Sequence, residues 1–315
     1  MVTPSDLEAV FSAVSLEREL RIGKQDRIGR LDETAIPWDT SGPWVDLLAM
    51  GLLARTGRDQ SIPSNRKRTF SVHITHDVDR TTLLEPFHLA KSAAGILAPR
   101  RAKSLSLRTT LSRGTLLNGL ERLLDYEVAR GVRARFFLMS GPYGLGRHGS
   151  RTNSRWASWI SSARLIQEAG MSIGLHGSFA AMDRSNYGEE RERLEQAIGC
   201  AVTTHRNHYL RFDTRRICTQ LQAAGIRHDF SFGYASRVGF RSSCARVHRT
   251  FDLDQQRESG LLAVPLLFMD THLIGGDPVA TFGETLLSHP NAWPFFEKVV
   301  SECLEMGADV SGNLA

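Results

Sequence analysis

The chain has 315 residues, of which 41% are hydrophobic and 23% are charged, with a formal net charge of +5. This composition is typical of a soluble globular protein and excludes a disordered or fibrous one. Much of the basic excess lies in residues 65–68 and 99–103, which could bind nucleic acid. No nucleic-acid-binding motif accompanies them, so we favour solvated loops and expect no nucleic-acid partner.

The cysteines and the hydropathy pattern predict a cytoplasmic protein. The four cysteines are scattered without a Cys-x-x-Cys spacing, which is typical of free thiols in a reduced compartment. The first residues show neither the basic start nor the apolar run of a signal peptide. No stretch approaches the roughly 18 consecutive apolar residues of a membrane span. The sequence gives no indication of oligomeric state.

The predicted elements begin with two helices, over residues 5–22 and 44–53. The next segment, residues 55–69, is polar and basic and contains Pro63, a composition typical of a linker. We therefore place a small, mostly helical N-terminal extension at residues 1–69 and the main domain at residues 70–315.

Strand and helix patterns alternate after residue 70, with glycine at several turns. Strands are predicted in residues 70–75, 133–140, 172–178, 203–210, 226–230, 262–267 and 285–289. Helices are predicted over residues 116–130, 154–169, 189–198, 214–224 and 294–306. This alternation indicates βα units around a parallel sheet or barrel, an α/β fold.

Ionisable side chains follow the ends of these predicted strands: Asp77, Asp79, His176, Arg206, His208, Asp229 and His289. In parallel α/β folds, active sites assemble at the carboxyl edge of the sheet. Two carboxylates two residues apart are costly to place together unless a positive charge lies between them. We therefore predict a divalent metal near Asp77 and Asp79. For an isolated Asp-x-Asp, a solvated acidic turn would be the better interpretation.

Four segments resemble, in order, the motifs of polysaccharide deacetylases of the NodB-homology type, the carbohydrate esterase family four. They are Thr75–Asp79 (THDVD), Ala134–Leu138 (ARFFL), Gly174–Ser178 (GLHGS) and Arg206–Tyr209 (RNHY). The resemblance covers about residues 70–290. It implies a distorted (β/α) barrel of about seven strands and a metal-dependent amidase acting on N-acetylated sugars. Residues 228–241 and the N-terminal extension resemble a bacterial subgroup associated with surface-polysaccharide loci.

The resemblance also implies roles for individual residues. Asp77 matches the general base, and Arg206 matches the arginine that holds the base carboxylate. Asp79 matches a metal ligand, and His176 matches the first metal-binding histidine. These roles are chemically consistent, because a nearby guanidinium keeps a carboxylate ionised and a divalent ion makes water nucleophilic near neutral pH.

Two further residues are assigned to proton transfer by the same resemblance. Asp229 matches an aspartate that supports the catalytic imidazole, and His289 matches a late histidine that acts as general acid. An imidazole opposite the base can protonate the leaving amine. A strand end stopped by Pro290 is an alternative interpretation of His289.

One position departs from the family pattern, which usually supplies a second histidine where this chain has Ala180. Catalytic zinc normally has three protein ligands. We predict His208 as the third ligand, with His205 and His76 as weaker candidates. Zinc is the expected ion, because a mixed His/Asp site with an open position suits it.

The leading hypothesis is therefore a zinc-dependent N-deacetylase acting on an acetamido-sugar of a glycan or its intracellular precursor. A catalytically inactive carbohydrate-binding protein is an alternative, suggested by Ala180. An amidase acting on a small non-sugar amide is another, because the same superfamily includes enzymes that hydrolyse cyclic ureides and imides.

Overall fold

A computed structural model describes residues 3–55, 71–79, 116–141 and 156–269, with residues 272, 294, 297, 298, 300 and 301. The helices in these ranges are α1 (Pro4–Val14), α2 (Glu17–Ile22), α3 (Trp44–Arg55), α4 (Leu116–Ala129), α5 (Trp156–Glu168), α6 (Ala181–Arg184), α7 (Tyr187–Ile198) and α8 (Ile217–Ala223). The strands are β1 (Thr75–Val78), β2 (Arg135–Leu138), β3 (Ser172–Gly177), β4 (Thr204–Asn207), β5 (His228–Phe232), β6 (His248–Asp252) and β7 (Arg257–Pro265).

The seven described strands form one sheet in the order β1-β2-β3-β4-β5-β7-β6. Strands β1 to β5 and β7 are parallel, and β6 pairs antiparallel with β7. The predicted α/β fold with about seven strands is thereby confirmed. Within the described residues the sheet is open, with β1 and β6 at its edges.

The two faces of the sheet have different surroundings because side chains alternate along each strand. Phe136, Leu138 and Leu175 point to the helices and join the main hydrophobic core, which includes residues of α4, α5, α7 and α8. Phe137 and Phe230 point to the opposite face and pack together with Val264. We call this second side the inner face. On the helix side, α7 has an apolar face that packs on the main core, since it buries Tyr187 and Leu194 at helical spacing.

Gly174 lies on the inner face, where β2 and β4 leave no room for a side chain. A Cβ there would lie 2.5 Å from Thr204 Oγ1 and 2.6 Å from Phe137 Cε1. We expect Gly174→Ala to lower the free energy of unfolding by about 1–3 kcal/mol, the usual cost of overpacking. Urea denaturation tests this, with Gly188→Ala as the control, because a Cβ at Gly188 meets no atom within 4 Å. Equal stability of the two variants would contradict the expectation.

Several elements differ from those predicted. Strand β1 begins at Thr75 rather than near residue 70, so His76 and Asp77 lie within the strand. The single helix predicted over residues 5–22 is two helices, interrupted at Leu16, whose φ of 59° no helix accommodates. Strand β6 was not predicted. The basic runs at residues 65–68 and 99–103 and the strand at 285–289 lie outside the described residues.

The described N-terminal residues 3–55 pack directly on the segment that follows β5. Glu19 and Arg241 form a buried ion pair with an N–O distance of 2.8 Å. The Glu33 carboxylate accepts hydrogen bonds from the backbone N–H groups of Ala235 and Ser236. The predicted domain boundary at residue 69 lies outside the described residues and stays a prediction. In the part of the chain that the structure describes, no helix is long and apolar enough to cross a membrane.

Candidate metal centre

Three side chains from three strand ends converge at the carboxyl edge of the sheet. Asp79 follows β1, His176 is the penultimate residue of β3, and His208 follows β4. The Nε2 atom of His176 lies 3.0 Å from Asp79 Oδ1 and 3.1 Å from His208 Nδ1. The third edge, from His208 Nδ1 to Asp79 Oδ1, measures 3.4 Å. The structure thus brings together the three residues predicted as metal ligands, as a group that could hold a metal ion.

The size of this triangle fits a tetrahedral ion. Zinc bonds to nitrogen and carboxylate oxygen of about 2.0–2.1 Å place neighbouring ligand atoms about 3.3–3.4 Å apart in a tetrahedron. The observed edges of 3.0, 3.1 and 3.4 Å lie close to that value. The Asp79 side chain is 45% exposed, so the group can be reached from solvent. One carboxylate and two imidazoles with an open side make a donor set suited to catalytic zinc.

The tautomer of His176 favours the same function. Its Nδ1 lies 3.0 Å from the carbonyl oxygen of Arg206. A carbonyl only accepts hydrogen bonds, so Nδ1 carries the proton and Nε2 of the neutral ring presents its lone pair to Asp79 and His208. This outer contact is the arrangement that orients metal-binding imidazoles in proteins.

The local charges also favour a cation at this point. Burial lowers the pKa of His176, but the negative charges of Asp77 and Asp79 outweigh burial, and the pKa lies above its ordinary value. Without a metal, a proton on an imidazole would supply the positive charge between these groups. A divalent ion would supply it through three ligands at once.

Asp77 and Arg206 form an ion pair beside the metal-binding group. Arg206 is buried, and its Nη1 donates to Asp77 Oδ1 at 3.0 Å. Its Nη2 donates to Thr75 Oγ1 and its Nε to the carbonyl oxygen of Phe230. These three contacts fix the direction of the guanidinium, while the Asp77 side chain remains 23% exposed. The ion pair therefore fixes the position of the Asp77 carboxylate at the carboxyl edge of the sheet.

The weaker ligand candidates have other partners. His205 Nδ1 donates to Asp229 Oδ1 at 2.9 Å, and both side chains are fully buried. His76 Nε2 lies 2.7 Å from the buried Glu127 carboxylate of α4. Both histidines alternate with inner-face residues along their strands and therefore point to the helices. Among the described residues, neither belongs to the metal-binding group.

Asp229 is the second residue of β5, not its end, and its neighbouring imidazole in the described structure is that of His205. Ser231 also donates its hydroxyl to Asp229. His289 lies outside the described residues. The support of His289 by Asp229, and the role of His289 as general acid, stay predictions.

The backbone that carries His208 was not anticipated from sequence. Residues 208–210 form one turn of 3₁₀ helix in which Tyr209 and Leu210 have φ values of 60° and 52°. Left-handed conformations cost non-glycine residues about 1–3 kcal/mol each and persist only where the surroundings enforce them. The Tyr209 ring lies on the His208 ring with centroids 3.9 Å apart. Neither of the two left-handed residues is a glycine or an asparagine, so the residue types at these positions give no signal of the turn.

Comparisons with known proteins identify no family. No protein-family model matches the chain, and no curated protein matches it. Among solved structures, it is similar to a protein of Mycobacterium smegmatis whose proposed activity is polysaccharide deacetylation. The two are 16% identical over 79% of this chain and 77% of that one, with a TM-score of 0.45. A variant of a CE4 family pseudoenzyme with restored enzymatic activity is 16% identical over 36% of this chain and 40% of that one, with a TM-score of 0.28. At these TM-scores neither similarity assigns a function to the chain.

Proposed function

We propose that the protein is a zinc-dependent hydrolase that removes N-acetyl groups from an acetamido-sugar of a polysaccharide or its precursor. The observation that carries this proposal is the pair Asp77–Arg206 beside the group Asp79, His176 and His208. A metal-binding triangle alone fits many functions. A carboxylate held by a buried arginine next to the triangle adds a base with a defined direction.

The chemistry of amide hydrolysis matches these parts. A divalent ion, when bound, supplies a Lewis acid and lowers the pKa of a water molecule. Asp77 accepts the proton of the attacking water as the water oxygen bonds to the carbonyl carbon. The C–N bond then breaks, the amine leaves with a proton, and acetate is the second product. His289 is the proposed donor of that proton.

The substrate class follows from the order of the four sequence motifs rather than from the site geometry. Their resemblance to polysaccharide deacetylases favours an N-acetylated glycan or its precursor. The similarity of residues 228–241 to a surface-polysaccharide subgroup supports the same substrate class. The test is acetate release from N-acetylated sugars and oligosaccharides by zinc-loaded protein. Turnover of cyclic ureides or imides instead would favour the small-amide alternative.

Ala180 favours a second candidate function, a carbohydrate-binding protein without activity. It is buried and directly precedes α6. The three ligands described above make a histidine at this position unnecessary, so we expect Ala180→His to bring no gain in acetate release. Crowding by the larger side chain would cost about 1–3 kcal/mol of stability.

The buried neighbour Ala181 offers a matched control, because Ala181→His introduces the same side chain. Acetate release by Ala180→His alone, with an inactive wild type and an inactive Ala181→His variant, would establish the binding-protein alternative.

A further inference from the structure

Asn207 connects the turn that carries His208 to the helices behind the sheet. It is buried and lies between Arg206 and His208 in the chain. Its Nδ2 donates to the carbonyl oxygen of Arg211 at 2.8 Å and so closes a ring over the turn at residues 208–210. Its backbone N–H donates to Ser231 Oγ at 2.9 Å, which fixes the end of β4 on β5.

Tyr187, the first residue of α7, holds the Asn207 side chain from the other side. Its hydroxyl donates to Asn207 Oδ1 at 2.8 Å. Burial raises the pKa of Tyr187, so the phenol is a neutral donor at pH 7. With Oδ1 accepting this bond, the amide must present Nδ2 to the Arg211 carbonyl. The phenol therefore selects the orientation of Asn207 that closes the turn.

Gly177 makes room for this contact. A Cβ at Gly177 would lie 2.8 Å from Tyr187 Cε1 and 3.0 Å from Asn207 Oδ1. The lack of a side chain at Gly177 thus allows Tyr187 and Asn207 to meet directly behind β3, the strand that carries His176.

We infer that Tyr187 and Asn207 are positioning residues that hold the 208–210 turn so that His208 Nδ1 faces Asp79 and His176. This inference rests on the proposed metal site. The bond from Asn207 Nδ2 to Arg211 belongs to no strand pairing and spans the two left-handed residues. Its loss would leave β4 paired with β3 and β5 but would remove the 2.8 Å bond from the turn, which would keep the longer 3.4 Å bond from the Arg211 N–H to the His208 carbonyl oxygen.

The experiment measures Zn²⁺ affinity by competition with a chromophoric chelator in purified Tyr187→Phe and Asn207→Leu. Tyr187→Phe removes one hydroxyl and keeps the ring against His205. We expect Zn²⁺ to bind more weakly in each variant, by up to the 10–100-fold that follows the loss of a direct outer contact of a metal ligand. Tyr126→Phe is the matched control, because it removes the hydroxyl of another buried tyrosine, on α4, and its affinity should equal that of wild type.

The Co²⁺ absorption spectrum separates positioning from general stability. A displaced His208 changes the ligand geometry and hence the visible d–d bands of Tyr187→Phe. If the role of Tyr187 is purely structural, the bands of Tyr187→Phe match those of wild type and Tyr126→Phe. If Asn207→Leu does not fold, Tyr187→Phe decides alone. Unchanged Zn²⁺ affinity and Co²⁺ spectrum in Tyr187→Phe would overturn the inference and leave the proposed function standing. Absence of Zn²⁺ binding by wild type would overturn both.

Discussion

Asp77→Asn is expected to lower kcat for acetate release by a factor of about 10²–10⁴, the contribution typical of a positioned general base. The amide of asparagine has nearly the shape of the carboxylate but cannot accept a proton from water. It can still accept the hydrogen bond from Arg206 Nη1, so the buried arginine keeps a partner. Steady-state kinetics on the zinc-loaded variant, with acetate as the measured product, check this result.

Metal content distinguishes loss of the base from loss of the site. Asp77 lies outside the triangle of ligand atoms, so Asp77→Asn should retain zinc at wild-type stoichiometry. Asp79→Asn is the matched control in the same strand end, and it should lose both zinc and activity. Wild-type turnover by zinc-loaded Asp77→Asn would show that Asp77 is not the base.

His208→Ala is expected to weaken zinc binding by more than the 10–100-fold typical of a lost outer contact. The substitution leaves two protein ligands, and catalytic zinc normally has three. Chelator competition measures the affinity. A distant histidine gives the control: His248→Ala, on β6, should leave zinc affinity unchanged, since His248 donates to the carbonyl oxygen of Arg246 and is not in the metal-binding group.

Equal affinities of His208→Ala and wild type would remove His208 from the site and reopen the question of the third ligand. His205→Ala and His76→Ala would then be the next variants to measure.

The meeting of Asp79, His176 and His208 could be predicted because parallel strands bring their carboxyl ends to one edge. Asp79 and His208 directly follow their strands and His176 is the penultimate residue of its strand, so the position of each along the sheet is fixed by the strand itself. The ion pair between Asp77 and Arg206 was predicted from the motif resemblance. Successive side chains of a strand point to opposite faces of the sheet. The sequence alone could therefore also have predicted that Arg206 and His205 face opposite sides of the sheet.

Contacts between distant segments could not be predicted in this way. The Asp229–His205 pair depends on the register of β5 against β4, which a strand pattern does not specify. The buried Glu19–Arg241 pair joins residues 222 positions apart in the chain. No local pattern encodes such a contact, because each partner alone is typical of a solvated charge. The left-handed turn after His208 is similarly enforced by Asn207 and its neighbours rather than by its own residues.

The most direct test of the account is a crystal structure of the zinc-loaded protein with anomalous data at the zinc edge. We predict one zinc ion about 2.0–2.2 Å from His176 Nε2, His208 Nδ1 and one Asp79 carboxylate oxygen, with Asp77 beside the open position. Zinc bound by His205 or His76, or the absence of zinc from the strand ends of β1, β3 and β4, would contradict it.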